Sequence, residues 1–195
     1  MRPFRLIASV AALLTLGTGL GVLAPQSAVA QTGTIYVRAT ASAPGNGTSW
    51  ASAYPSLQTA LQAAASGAEI WLAAGRYTPA PANSSRAATF QLKDGVAIYG
   101  GFAGAETARS QRDWAANVVT LSGDLNGNDG SNFANNGENS YHVVKGATGA
   151  TLDGVTISGG NADGAGADNR GSGMYTESSS PVLPSSARLW SAGTR

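Results

Sequence analysis

One eight-residue pattern, Asp-Gly-Val-x-Ile-x-Gly-Gly, occurs twice in this 195-residue chain, at 94–101 and again at 153–160. Each copy reads as a turn, a short strand whose side chains alternate inward and outward, and a second turn. Asp-Gly and Gly-Gly supply the backbone freedom that sharp turns need. A repeated strand unit constrains a fold strongly, because like units bury their apolar sides against one another. The repeat speaks to architecture and names no chemistry.

The stretches around the repeat have the same character. Ile35-Tyr36-Val37-Arg38, Ile70-Trp71-Leu72, Val96-Ala97-Ile98, Val118-Val119-Thr120-Leu121 and His142-Val143-Val144 are short apolar or β-branched runs, most of them between polar or glycine-rich turns. Thr151-Leu152 and Val155-Thr156-Ile157 continue the series. The centres Trp71, Ala97, Val119 and Val143 lie 26, 22 and 24 residues apart. That is too wide for a Greek-key sandwich, with turns every 8–12 residues or so. It suits one coil of a parallel stack, with inward Val96, Ile98, Val155 and Ile157 forming columns.

One segment departs from period two. Leu57, Ala60, Leu61 and Ala64 fall at helical spacing, which predicts a short amphipathic helix over 56–66. Ser56 is its expected N-cap and Gly67 its expected stop.

Arg2 and Arg5, an uncharged apolar stretch from Leu6 to Leu23 and the small residues of Ala28-Val29-Ala30 have the layout of a secretory signal peptide over 1–30. Cleavage would start the mature chain at Gln31 and leave ten basic against eleven acidic residues, a net charge of −1. No basic stripe is present, so nucleic acid is not an expected partner. No second apolar run is long enough to span a bilayer. Cysteine is absent, so burial and backbone pairing must stabilise the exported chain without disulfides. Charged residues make up 12% and 26 residues are glycine, a composition suited to short strands and tight turns rather than a helical bundle.

Several stretches together resemble a known group. They are Ile35-Tyr36-Val37 with Gly47-Thr48-Ser49-Trp50 and Tyr54, then Leu57-Gln58-Thr59-Ala60-Leu61, then the run from Gly67 to Tyr77. Val96 to Phe102, Thr120 to Asp124 and Gly171 to Tyr175 extend the likeness over about residues 34 to 183. The chain is similar to secreted bacterial right-handed parallel β-helix proteins of the pectin-lyase-like superfamily, of the polymorphic outer-membrane-protein-like or choice-of-anchor type. The resemblance implies an all-β solenoid with an N-terminal cap strand, loop and helix over 31–68 and about five coils over 69–183. It implies a secreted or cell-surface location. It leaves activity open, since the superfamily includes lyases, hydrolases and adhesins. Residues 184–195 lose the alternation, where the family continues into further coils. The expectation there is an irregular tail left by truncation or a change of frame.

The densest set of oxygen ligands is Asp124, Asn126, Asn128 and Asp129. Hard oxygens at alternate positions suit calcium, and these four are the candidate metal ligands. An EF-hand loop counted from Asp124 would need Gly at position six and Glu at twelve, where Asp129 and Asn135 stand. A polar loop between strands explains the same residues. His142, the single histidine, lies in a strand with no nucleophile motif in the sequence and reads as a surface strand residue rather than a base. Asp94, Asp124, Asp153, Lys145 and Arg170 are the acids and bases an enzyme would have to gather into one groove. Trp50, Tyr54, Trp71, Tyr77, Tyr99 and Phe102 read as an end plug beneath the helix or as a sugar platform.

The leading expectation is a non-enzymatic secreted or surface scaffold that contacts extracellular polysaccharide or matrix, with no catalytic residues and no cofactor. The alternatives are a fragment of a polysaccharide lyase or glycoside hydrolase, and a calcium-stabilised surface module.

Overall fold

Ile35, Ile70, Ile98 and Leu152 form a continuous buried column through four parallel strands. In the computed structural model, which describes residues 30–42, 45–177 and 188–189, these strands are β1 (Thr34–Val37), β2 (Glu69–Ala73), β5 (Ala97–Phe102) and β8 (Thr151–Asp153). They form one sheet in the order β1-β2-β5-β8. Between them in the chain lie β3 (Gly75–Tyr77), β4 (Phe90–Gln91), β6 (Val119–Ser122) and β7 (Val144–Lys145). β9 (Thr156–Ser158), β10 (Met174–Tyr175) and β11 (Arg188–Leu189) follow. A second sheet runs β4-β7-β10 and a third runs β3-β6-β9-β11, with parallel pairing throughout.

The inward columns of the three sheets merge. Tyr77, Leu121 and Ile157 stack in the third sheet, and Phe90 and Val144 in the second. All belong to the core cluster that contains the isoleucine column. Fully burying one such aliphatic or aromatic side chain contributes about 1.5–3 kcal/mol, so these columns carry much of the stability. The helix α1 (Leu57–Ala63) adds Leu57, Ala60 and Leu61 to the same core and packs against β1, β2 and β4. Its N-cap is Ser56, whose hydroxyl accepts from the Gln58 amide at 3.1 Å. It stops earlier than its apolar spacing predicts. Ala64 is extended and bridges Gln31, whose backbone bonds to Ala63 and Ala65 compete with another helical turn.

The expected all-β, right-handed parallel β-helix of even coils is corrected on two counts. The first is class: α1 and five 3₁₀ segments stand among the short parallel sheets, so the described residues form a mixed α/β fold. The second is regularity. Thr34 pairs with Glu69, Glu69 with Ala97 and Ala97 with Thr151, so successive partners are 35, 28 and 54 residues apart. In the second sheet Phe90 pairs with Val144 and Val144 with Met174, steps of 54 and 30. The even spacing of Trp71, Ala97, Val119 and Val143 therefore counts no single repeat. Trp71 and Ala97 belong to the first sheet and Val119 to the third, while Val143 precedes β7 of the second.

The two copies of the octapeptide are likewise not equivalent. The first enters β5 and the second enters β9, in different sheets, so Ile98 pairs with Ile70 and Leu152, and Ile157 pairs with Leu121. Their motif encodes a local strand between turns, which any of the sheets can use. The copies still touch. A Cβ on Gly100 would lie 2.3 Å from the carbonyl oxygen of Gly154, so this crossing requires glycine.

The signal-peptide reading over 1–30 lies outside the described residues except at Ala30, and the tail reading over 184–195 except at 188–189. No helix among the described residues is long and apolar enough to cross a membrane.

Candidate functional site

β6 delivers the chain through Gly123 into the loop that starts at Asp124. The Asp124 carboxylate closes this loop on itself. Its Oδ1 accepts from the amides of Gly127 at 2.6 Å and Asn128 at 3.1 Å, and its Oδ2 from the amide of Asp129 at 3.4 Å. Arg76 pairs with Oδ2 at 3.2 Å and also donates to the Asp124 carbonyl. Asn126 turns its Oδ1 to the Asn83 amide, and Asp129 accepts from Asn139 Nδ2 at 2.9 Å. Burial pushes the Asp129 carboxyl above the usual range; the Asn139 bond lowers it and the nearby Asp124 charge raises it again.

Calcium needs several oxygens converging on one point. Here the oxygens of Asp124 face hydrogen-bond donors and a guanidinium, and Asn126 is directed to another segment. Asp124 and Asn126 are thus turned to donors rather than to a shared centre. Among the described residues no group of three or more His, Asp or Glu side chains could hold a metal.

The acids and bases singled out from sequence are only partly brought together. Asp94 and Lys145 line one open cleft of about 440 Å³ with Thr148, Tyr175 and Glu177. Asp94 Oδ1 accepts from the Thr148 amide at 2.9 Å, and Lys145 lies 5.8 Å from the Tyr175 ring centre. Asp124 is bound to Arg76, Asp153 forms a largely buried ion pair with Arg112, and Arg170 lines a different cleft. His142 is not on the surface. It is 4% exposed, stacks on Tyr175 at 4.7 Å and places Nδ1 3.2 Å from the Gly171 carbonyl.

The aromatic residues are neither an end plug nor an open platform. Tyr36, Trp71 and Tyr99 form a row along the outer side of the first sheet. Trp50 and Phe102 pack against that row, with Trp71 and Phe102 stacked at 4.6 Å. The segment 103–117 straps over it. Arg109 and Arg112 lie 4.5 and 5.1 Å from the Tyr99 ring centre, and Trp50 Nε1 donates to the Glu106 carbonyl at 2.9 Å. Burial opposes ionisation of Glu106, but the amides of Ala103, Ala105, Glu106 and Gly104 outweigh it and hold its carboxyl below the usual range. Tyr77 is separately buried, and Tyr54 packs against the core.

A third locus was not singled out from sequence. A cleft of about 500 Å³ lies between the loop at 132–136 and the segment 161–172. Asn132, Phe133, Asn136, Asn161, Asn169 and Arg170 line it. Arg86 braces one wall, donating to the carbonyls of Asn139 at 2.7 Å and Asn161 at 2.8 Å and pairing with Asp163 at 2.5 Å. Asn161 Nδ2 ties the two sides by donating to the Asn136 carbonyl at 3.0 Å. The signal available in the sequence was one aromatic, Phe133, inside an asparagine-rich stretch from Asn126 to Asn139.

Compared with family models, curated proteins and solved structures, the chain matches none. A functional reading therefore rests on the chemistry of these loci and on the sequence.

Proposed function

We propose that the protein is a non-enzymatic scaffold, exported from the cell, that contacts extracellular polysaccharide or cell-surface matrix. The observation that carries this reading is the commitment of five carboxylates to architecture. Asp124, Asp153, Asp163 and Glu69 are paired with Arg76, Arg112, Arg86 and Arg109, which belong to other segments, and Glu106 caps its own turn. A hydrolytic site needs two carboxylates facing one bond, free to exchange protons. The compartment follows from the layout of residues 1–30, and the absence of a basic stripe speaks against nucleic acid.

The enzymatic alternative has one observation in its favour, the meeting of Asp94 and Lys145 with Tyr175 and Glu177 in a single cleft. One experiment separates the two. Protein beginning at Gln31 is incubated with neutral and uronate-containing polysaccharides, and both retention on the polymer and release of new chain ends are measured. The scaffold reading expects retention without new ends. Chain ends that form with the wild type and disappear with Lys145→Ala or Asp94→Asn would replace it with the enzyme.

A further inference from the structure

Phe133 is 56% exposed and holds a positive φ of 61°. Its neighbours Asn132 and Asn135 are also left-handed, at 55° and 63°. Asparagine tolerates this region, but a bulky aromatic there is a backbone outlier. Such strain persists only where the surroundings enforce it, and it concentrates at sites that bind ligands. The effect here is to hold a flat apolar ring out of the core, at the rim of a cleft whose other walls are polar.

The polar lining has a definite character. Asn132, Asn136 and Asn169 line the cleft with amide side chains, each a planar group with donors and an acceptor, while the Asn161 amide donates to the Asn136 carbonyl and Asp163. Around the cleft two cations, Arg86 and Arg170, stand against two carboxylates, Asp163 and Asp168, so no surplus charge selects an ion. The cleft volume lies within the range of about 300–1,000 Å³ usual for small-ligand sites. A pyranose ring has a C–H face that packs on an aromatic ring and hydroxyls that both donate and accept at its edge. Amides satisfy such hydroxyls, and a neutral sugar requires no counter-ion.

We propose that this cleft binds neutral pyranose units of a polysaccharide, with Phe133 as the stacking surface and Asn132, Asn136, Asn169 and Arg170 as hydroxyl partners. The proposal rests on the polysaccharide-contact reading above and gives it a place and a ligand class. Phe133→Gly tests it without confusing binding and folding, because glycine accepts the left-handed backbone that phenylalanine resists. Titration calorimetry against soluble glucan, mannan, galactan and xylan identifies the polymer bound by the wild type. With that polymer, Phe133→Gly is expected to weaken binding at least tenfold while the melting temperature holds or rises. Asn169→Ala should weaken it several-fold, and Lys145→Ala in the other cleft should leave it unchanged. Wild-type binding to a neutral polymer that survives both Phe133→Gly and Asn169→Ala overturns the cleft assignment and leaves the polysaccharide reading standing. Binding only to uronate polymers overturns the neutral ligand. Binding to no polymer overturns both readings.

Discussion

Tyr77 shows at one residue how the core constrains a polar group. Its hydroxyl donates to the Ala73 carbonyl at 2.8 Å. Burial pushes its pKa up to about 12, although the Ala39 amide and the Arg38 charge pull the other way. The folded value lies above the unfolded one of about 10, so the neutral phenol contributes its full stability below pH ~10 and loses it as pH rises through ~12. Melting temperature measured from pH 8 to 12 should fall more steeply for the wild type than for Tyr77→Phe. At neutral pH the variant should be less stable by about 1 kcal/mol, the usual net worth of a lost hydrogen bond. A wild-type curve no steeper than the variant's would contradict this account. Tyr77 was visible in the sequence only as one aromatic among several. Its burial depends on pairing with Leu121, 44 positions away, which local pattern does not encode.

Among the elements, the Asp124 loop shows how far motif reading can go. Alternating Asp and Asn suggested calcium ligands or a polar loop, and in the structure the Asp124 oxygens accept from the loop's own amides and pair with Arg76. Asp124→Ala should cost roughly 1–2 kcal/mol through the lost amide contacts, with little from the half-exposed arginine pair. Thermal melts with and without a chelator should coincide for the wild type. A chelator-dependent fall that vanishes in Asp124→Ala would instead favour the calcium module. The strands were legible because Ile98, Leu121, Leu152 and Ile157 sit in apolar alternations and Ile70 in a continuous apolar run. β4 was missed because two residues, Phe90 and Gln91, are too short for any period to show. The end of α1 was misplaced because its stop is a bridge to Gln31, a partner distant in sequence.

For the whole molecule, the regular spacing of strand centres suggested a uniform stack, yet the chain advances by unequal steps through three sheets. Periodicity reports which residues are strands and which face is apolar. It does not report which strand is the partner, since any parallel edge with an aliphatic row can accept the next. The contact between the two octapeptides tests this packing directly. Gly100→Ala should destabilise by about 1–3 kcal/mol or more, because its methyl group would meet the Gly154 backbone. Gly137→Ala, where a methyl would meet nothing within 4 Å, should be near neutral. Equal denaturation midpoints for the two variants would refute the close crossing. The strap over Tyr36, Trp71 and Tyr99 has its own consequence. Trp71 is buried while Tyr36 and Tyr99 stay half-buried, so the strap braces this flank through Tyr99 and Trp50. If the asparagine-lined cleft binds sugar as proposed, its loops at 132–136 and 161–172 can exchange side chains without touching the strap's contacts to these rings.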